Sequence, residues 1–101
     1  MTIETRNEVL LEGMASEAPA FSHENHGVRF FRLSLRVPRL SGTPDILPVL
    51  LPEPLLPAAE GGGPLRVRGQ LRSFNNRSGV GNRLVLTVYA QEIAPGAGEP
   101  C

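Results

Sequence analysis

Every basic residue in this chain is an arginine, ten in all, and the sequence contains no lysine. A guanidinium is a planar fork that bonds phosphate oxygens in pairs and stacks on flat rings, so an arginine-only set suits nucleic acid. A compositional bias of the genome gives the same set, and the two explanations stand level. Position separates them better than number does. Arg32 and Arg36 fall at alternate positions with Phe30, and Arg66, Arg68 and Arg72 alternate toward Phe74. Cations that follow phosphates, interleaved with rings that stack on bases, are what single-strand binding without sequence preference requires.

Formal net charge is zero, but it is unevenly spread. Residues 27 to 91 hold nine arginines and three acids, a net +6, whereas the first 26 residues set five glutamates against Arg6. The middle is basic and the ends are acidic. A single outward arginine is more readily a solvated residue on a half-buried strand, since charge must alternate with apolar side chains there. The clustering on neighbouring segments is what favours binding.

Other chemistries find little support. No nucleophile, base and orienting group fall together, and no carboxylate pair stands out, so an enzyme is not expected. His23 and His26 have no further Cys or His to complete a metal site, and read as part of a surface turn. Gly79-Val80-Gly81 lacks the lysine and helix of a phosphate loop, and the Asn76-Arg77-Ser78 sequon carries no meaning in a cytosolic protein. No metal, cofactor or small-molecule substrate is expected. Cys101, the sole cysteine, is the last residue and cannot staple the fold.

The elements that must hold the arginines are strands. With 11 Gly, 10 Pro and 41% hydrophobic residues in 101, the chain reads as one all-β domain with many turns. Glu8 to Glu17 suits a strand with a bend at Gly13. Val28 to Val37 shows the clearest alternation, with Phe31, Leu33, Leu35 and Val37 inward and Phe30, Arg32, Ser34 and Arg36 outward. Asp45 to Leu51 is a third strand, and its Pro48 belongs on an edge. Leu65 to Phe74 and Arg83 to Glu92 alternate again, the latter with Tyr89 among its outward residues, and the Asn- and Gly-rich segment between them closes a long hairpin carrying Arg77 and Arg83.

Ala18 to Gly27 reads as turn-like. Pro52, Pro54 and Pro57 limit the segment after the third strand to at most one short helical turn. Core packing is favoured for Phe31 and Phe21. The boundaries that follow are an OB-fold domain over residues 1–94 and a short disordered tail over 95–101. Five strands with a break after the third match the Greek-key order of the five-stranded OB barrel, an order that other small barrels share. No apolar run reaches the ~20 residues of a membrane helix and the N-terminus lacks a signal-peptide pattern, so a cytoplasmic protein is expected.

Three stretches carry a family resemblance. NEVLLEGMASEAPAFS resembles the first strand and turn of bacterial single-stranded DNA-binding proteins, GVRFFRLSLRVPR their second strand, and GGPLRVRGQLRSFNNRSGVGNRLVLTVYAQEI their final hairpin. The resemblance runs from about Asn7 to Ile93. The primosomal replication protein N (PriB) group, similar in length and dimeric, is a close relative within it. The resemblance implies an OB barrel, non-sequence-specific binding of single-stranded DNA, a homodimer or homotetramer, and roles in replication, repair or recombination. Phe30, Arg32, Arg36, Arg66, Arg68, Arg72, Phe74, Arg77, Arg83 and Tyr89 are then the candidate contacts.

Two departures stand out. The chain ends in GAGEPC where the family carries an acidic tail ending in Asp, Pro and Phe, and it has no tryptophan on which to stack bases. RNA is the other polymer such a barrel accepts. The competing expectation is an OB-fold assembly subunit of the primosome, with weak or no nucleic-acid binding, its arginines paired with the acidic N-terminal segment of a neighbour.

Overall fold

The alternation in VRFFRLSLRV builds the strand on which the rest is organised. In the computed structural model, which describes residues 5–77 and 82–96, this strand is β3 (Val28–Val37). Around it lie β1 (Val9–Ala15), β2 (Ala20–Asn25), β4 (Asp45–Pro52), β5 (Gly63–Arg77) and β6 (Asn82–Pro95). The strand order is β1-β5-β6-β4-β3-β2, and a β1–β3 pairing closes the ring into a barrel. All links are antiparallel except β4–β6, where Val49 and Leu50 run parallel to Val88 and Tyr89. The expected all-β Greek-key OB barrel is therefore the observed fold, and the five expected strands are all present.

One expectation fails. Ala18 to Gly27 is not a turn; most of it is β2, paired with β3 from Ala20↔Arg32 to Asn25↔Val28. The link is only His26-Gly27, with φ of 51° and 78°, and positive φ at both central residues is what a type I′ hairpin needs. The strand escapes a period-2 reading because nearly all of it faces solvent, so no buried face imposes an apolar alternation. Phe21 is corrected with it: 56% exposed, it meets Phe31 edge to face at 5.8 Å rather than entering the core.

The interior follows the predicted parity. Leu33 and Leu35 of β3 meet Val49 and Leu51 of β4, Leu65 and Val67 of β5, and Val88 and Ala90 of β6. Burying each such aliphatic side chain contributes about 1.5–3 kcal/mol. Between β4 and β5, a 3-10 turn over Glu53–Leu55 leads into α1 (Leu56–Glu60), whose fully buried Ala59 joins this core. Gly62 and Gly63, at φ of 67° and 71°, then turn the chain into β5.

Closure depends on close backbone approach. At Met14 and Ala15, β1 pairs with β5 on one edge and β3 on the other. Just before, a side chain at Gly13 would collide with the Arg36 carbonyl, so the bend there requires glycine. Pro48 is not on an edge strand, since β4 lies between β3 and β6 and Pro48 stands opposite Ser34, but the pairing with β6 begins only at Val49. Asn7 extends β1 by its side chain: Nδ2 donates to the Leu71 carbonyl at 2.7 Å, and Oδ1 accepts from the Leu71 amide at 2.8 Å.

Arg39 bonds Asp45 across the β3–β4 loop, and this hydrogen bond holds the Asp45 carboxyl below its usual range. Pro95 ends β6, and the Gly96 amide donates to the Pro64 carbonyl at 2.9 Å. The expected tail therefore has ordered pairing at its first two residues, and 97–101 lie outside the described residues. No helix among the described residues is long and apolar enough to cross a membrane.

Candidate nucleic-acid interface

The register sets one outward row across four strands. Arg32 of β3 stands opposite Leu50 of β4, Leu50 beside Tyr89 of β6, and Tyr89 opposite Gln70 of β5. Leu50 alternates with the inward Val49 and Leu51 yet is only 8% exposed, so the row dips at its centre. β5 and β6 both run on past the barrel as a two-stranded arm that carries Arg72 and Phe74 opposite Thr87 and Val85. On the other side β2 rises beside β3. Between them lies a cleft of ≈ 310 Å³, with Ser22, His23 and Arg32 on one wall, Phe74, Val85 and Thr87 on the other, and Pro48 and Leu50 at the base. That is the lower end of ligand-sized pockets, ~300–1,000 Å³.

A ladder of flat groups crosses this face. The His23 ring stacks on Phe30 at 5.0 Å with planes 14° apart. Phe30 lies 6.0 Å from Tyr89, and the Arg72 guanidinium sits 5.2 Å over the Tyr89 ring. Arg72 is held there by Nη2 donating to Gln70 Oε1 at 3.1 Å. Four strands thus contribute one planar group each to a continuous surface. Among the described residues, neither Arg32 nor Arg72 has an acid within ion-pair distance, so both guanidinia remain available to an anion.

The lower half of β5 differs. Arg66 binds Glu12 through both Nε and Nη2, at 3.0 and 2.9 Å. Arg68 meets Glu8 at 3.2 Å and Glu92 at 3.6 Å. The acidic ends of the sequence therefore fold back on these two arginines within one chain. Four residues of strand put Arg68 about 13 Å from Arg72, on the β1–β5–β6 part of the barrel. Such half-exposed pairs are worth only about 0–1 kcal/mol, but they consume the charge.

The predicted contacts are thereby sorted. Phe30, Arg32, Arg72, Phe74 and Tyr89 come together around the cleft. Arg36 stands four residues along β3 from Arg32 and lines a separate hollow of ≈ 390 Å³ with Met14, Ser16, Pro38, Gly42 and Pro44. Arg77 and Arg83 pair by backbone with Asn82 and Asn76 in the arm, and their side chains lie outside the described residues, as does the 78–81 loop. His23 was missed as a contact because β2 was read as a turn. The His-Gly pair ahead of the alternating β3 run was the available hairpin signal.

No family model matches the chain, and no curated protein matches it. Among solved structures, the dimeric N-terminal domain of the PriB protein from Thermoanaerobacter tencongensis superposes with a TM-score of 0.74 and 39% identity. The match spans 90% of this chain and 97% of that one. This chain belongs to the PriB family. The family assignment agrees with the resemblance in the three stretches above, and the PriB neighbour carries the same barrel.

Proposed function

We propose that this PriB-family chain binds single-stranded DNA without sequence preference, in the cytoplasm, as a homodimer acting in replication, and that it catalyses no reaction. The observation that carries this reading is the ladder beside the cleft: rings, and guanidinia with no acid partner among the described residues, on one continuous outer face. Aromatic faces accept any base, and each stacked base contributes about 1–3 kcal/mol. Arg32 and Arg72 take the phosphates. The placement also suits the fold, since OB barrels bind strands across the face framed by their first and last hairpins. With three rings on the ladder and no tryptophan, affinity leans more on charge than on stacking.

The homodimer reading rests on β1. Among the described residues its edge away from β5 is paired only at Met14 and Ala15, leaving Val9–Gly13 with unpaired backbone groups of the kind a second copy can match. The PriB neighbour is dimeric.

Titration of a labelled oligo-dT across a salt series tests the function. For single strands log K falls by about 0.7 per log unit of salt for each phosphate neutralised, so Arg32 and Arg72 together give a slope of about −1.4 or steeper. Undetectable binding at low salt would instead favour an assembly subunit. A preference for oligo-U over oligo-dT would make RNA the ligand.

A further inference from the structure

We infer that His23 is a proton-linked phosphate contact, an imidazole that takes up a proton as the strand binds; the inference rests on the nucleic-acid reading above. His23 follows a register shift in β2. Phe21 pairs with the inward Phe31, but His23 pairs with the outward Phe30, so the irregularity at Ser22 switches the strand from one face to the other. The imidazole thereby joins the ladder and lines the cleft beside Arg32. A bare surface turn has no need of that stacking.

The hydrogen bonding suits either protonation state. Ser22 Oγ lies 2.9 Å from His23 Nδ1, and a hydroxyl can donate to a bare ring nitrogen or accept from a protonated one. Among the described residues no side chain bonds Nε2, leaving that position to donate to a ligand oxygen. The ring stacks on Phe30 of β3 and shares the cleft with Arg32 of β3, Leu50 of β4, Phe74 of β5 and Thr87 of β6, while Tyr89 and Arg72 lie farther along the ladder. Among the described residues the charged group lining the cleft with His23 is the cation Arg32, and Arg72 at the far end of the ladder is another cation. Glu24 and Arg29 pair with each other in register, one position on and on the opposite face, and His26 sits in the turn.

A phosphate docked on Arg32 lies beside His23 in the cleft and favours a proton on the imidazole. The bound state then holds more protons than the free state. By linkage, affinity rises as pH falls through the imidazole range near 6.5. Thymine and phosphodiesters do not titrate there, so oligo-dT adds no proton of its own.

The test measures oligo-dT affinity at pH 8 and pH 5.5 over a salt series, with a rhodamine-type label whose emission is insensitive to pH. Wild type and His26→Gln gain about fivefold in affinity at the lower pH, the size of an exposed charge pair, and the salt slope steepens by about 0.7. His23→Phe keeps a flat ring and loses both changes, whatever its affinity at pH 8. A His23→Phe protein that retains the pH gain, or a wild type whose slope is the same at both pH values, overturns the inference and leaves the DNA-binding reading standing. Absence of binding at pH 8 in low salt removes that reading and the inference with it. NMR titration of the wild-type His23 ring, with and without oligo-dT, needs no variant: an upward move of its midpoint on binding is expected, and an unmoved midpoint overturns the proposal.

Discussion

Tyr89 is placed to do two things at once: its ring meets Phe30 and supports the Arg72 guanidinium. Removing the ring takes away a stacking surface and lets Arg72 wander, so Tyr89→Ala should weaken oligo-dT binding by at least about fivefold, the low end of a stacked base. Tyr89→Phe keeps the ring and should stay within about twofold. Affinity titrations of both variants, with circular-dichroism melts to confirm folding, check this; equal losses would shift the role from the ring to the hydroxyl. The parity of Phe30, Arg32, Arg72 and Tyr89 was readable from period-2 alternation alone. The neutralisation of Arg66 and Arg68 by the N-terminal acids was not, because Glu12 and Glu8 lie 54 and 60 residues away in sequence. Only the β1–β5 register sets Glu12 opposite Arg66.

Among the elements, the β5–β6 hairpin does most to position the site, and its critical point is Gly69. Arg68 pairs with Glu92 and Gly69 with Ala90, so β6 carries one extra residue there. A side chain at Gly69 would collide with the Tyr89 carbonyl. Gly69→Ala should therefore destabilise the barrel by about 1–3 kcal/mol, the usual range for overpacking, and displace Tyr89 in the same step. Thermal melts that show no loss of stability would mean that β6 absorbs the clash. Elements with one buried face, β1 and β3 to β6, were legible because the core imposes alternation on them. β2 was not, since it packs by its backbone against β3 and leaves most of its side chains in solvent, and the cleft wall it supplies was lost with it. The strand order and the barrel closure at Gly13 and Ala15 depend on long-range pairing, and they became readable through the resemblance rather than through any local pattern.

At the scale of the whole molecule, zero net charge is compatible with a cationic face because the charges are sorted in space. Glu8, Glu12 and Glu92 cover Arg66 and Arg68 on the β1–β5–β6 side, and Glu53 reaches Arg29 at 4.0 Å. Among the described residues Arg32 and Arg72 are left without acidic partners around the cleft. This sorting separates the account from one in which all outward arginines of β3 and β5 contribute alike. The most direct test compares oligo-dT affinity, at one moderate salt concentration, for two double variants of equal charge change. Arg32→Ala with Arg72→Ala should weaken binding at least tenfold and reduce the salt slope by about 1.4, whereas Arg66→Ala with Arg68→Ala should change affinity by less than about threefold. The reverse order, or equal losses in both, would contradict the placement of the nucleic-acid interface on the His23–Phe30–Tyr89–Arg72 face.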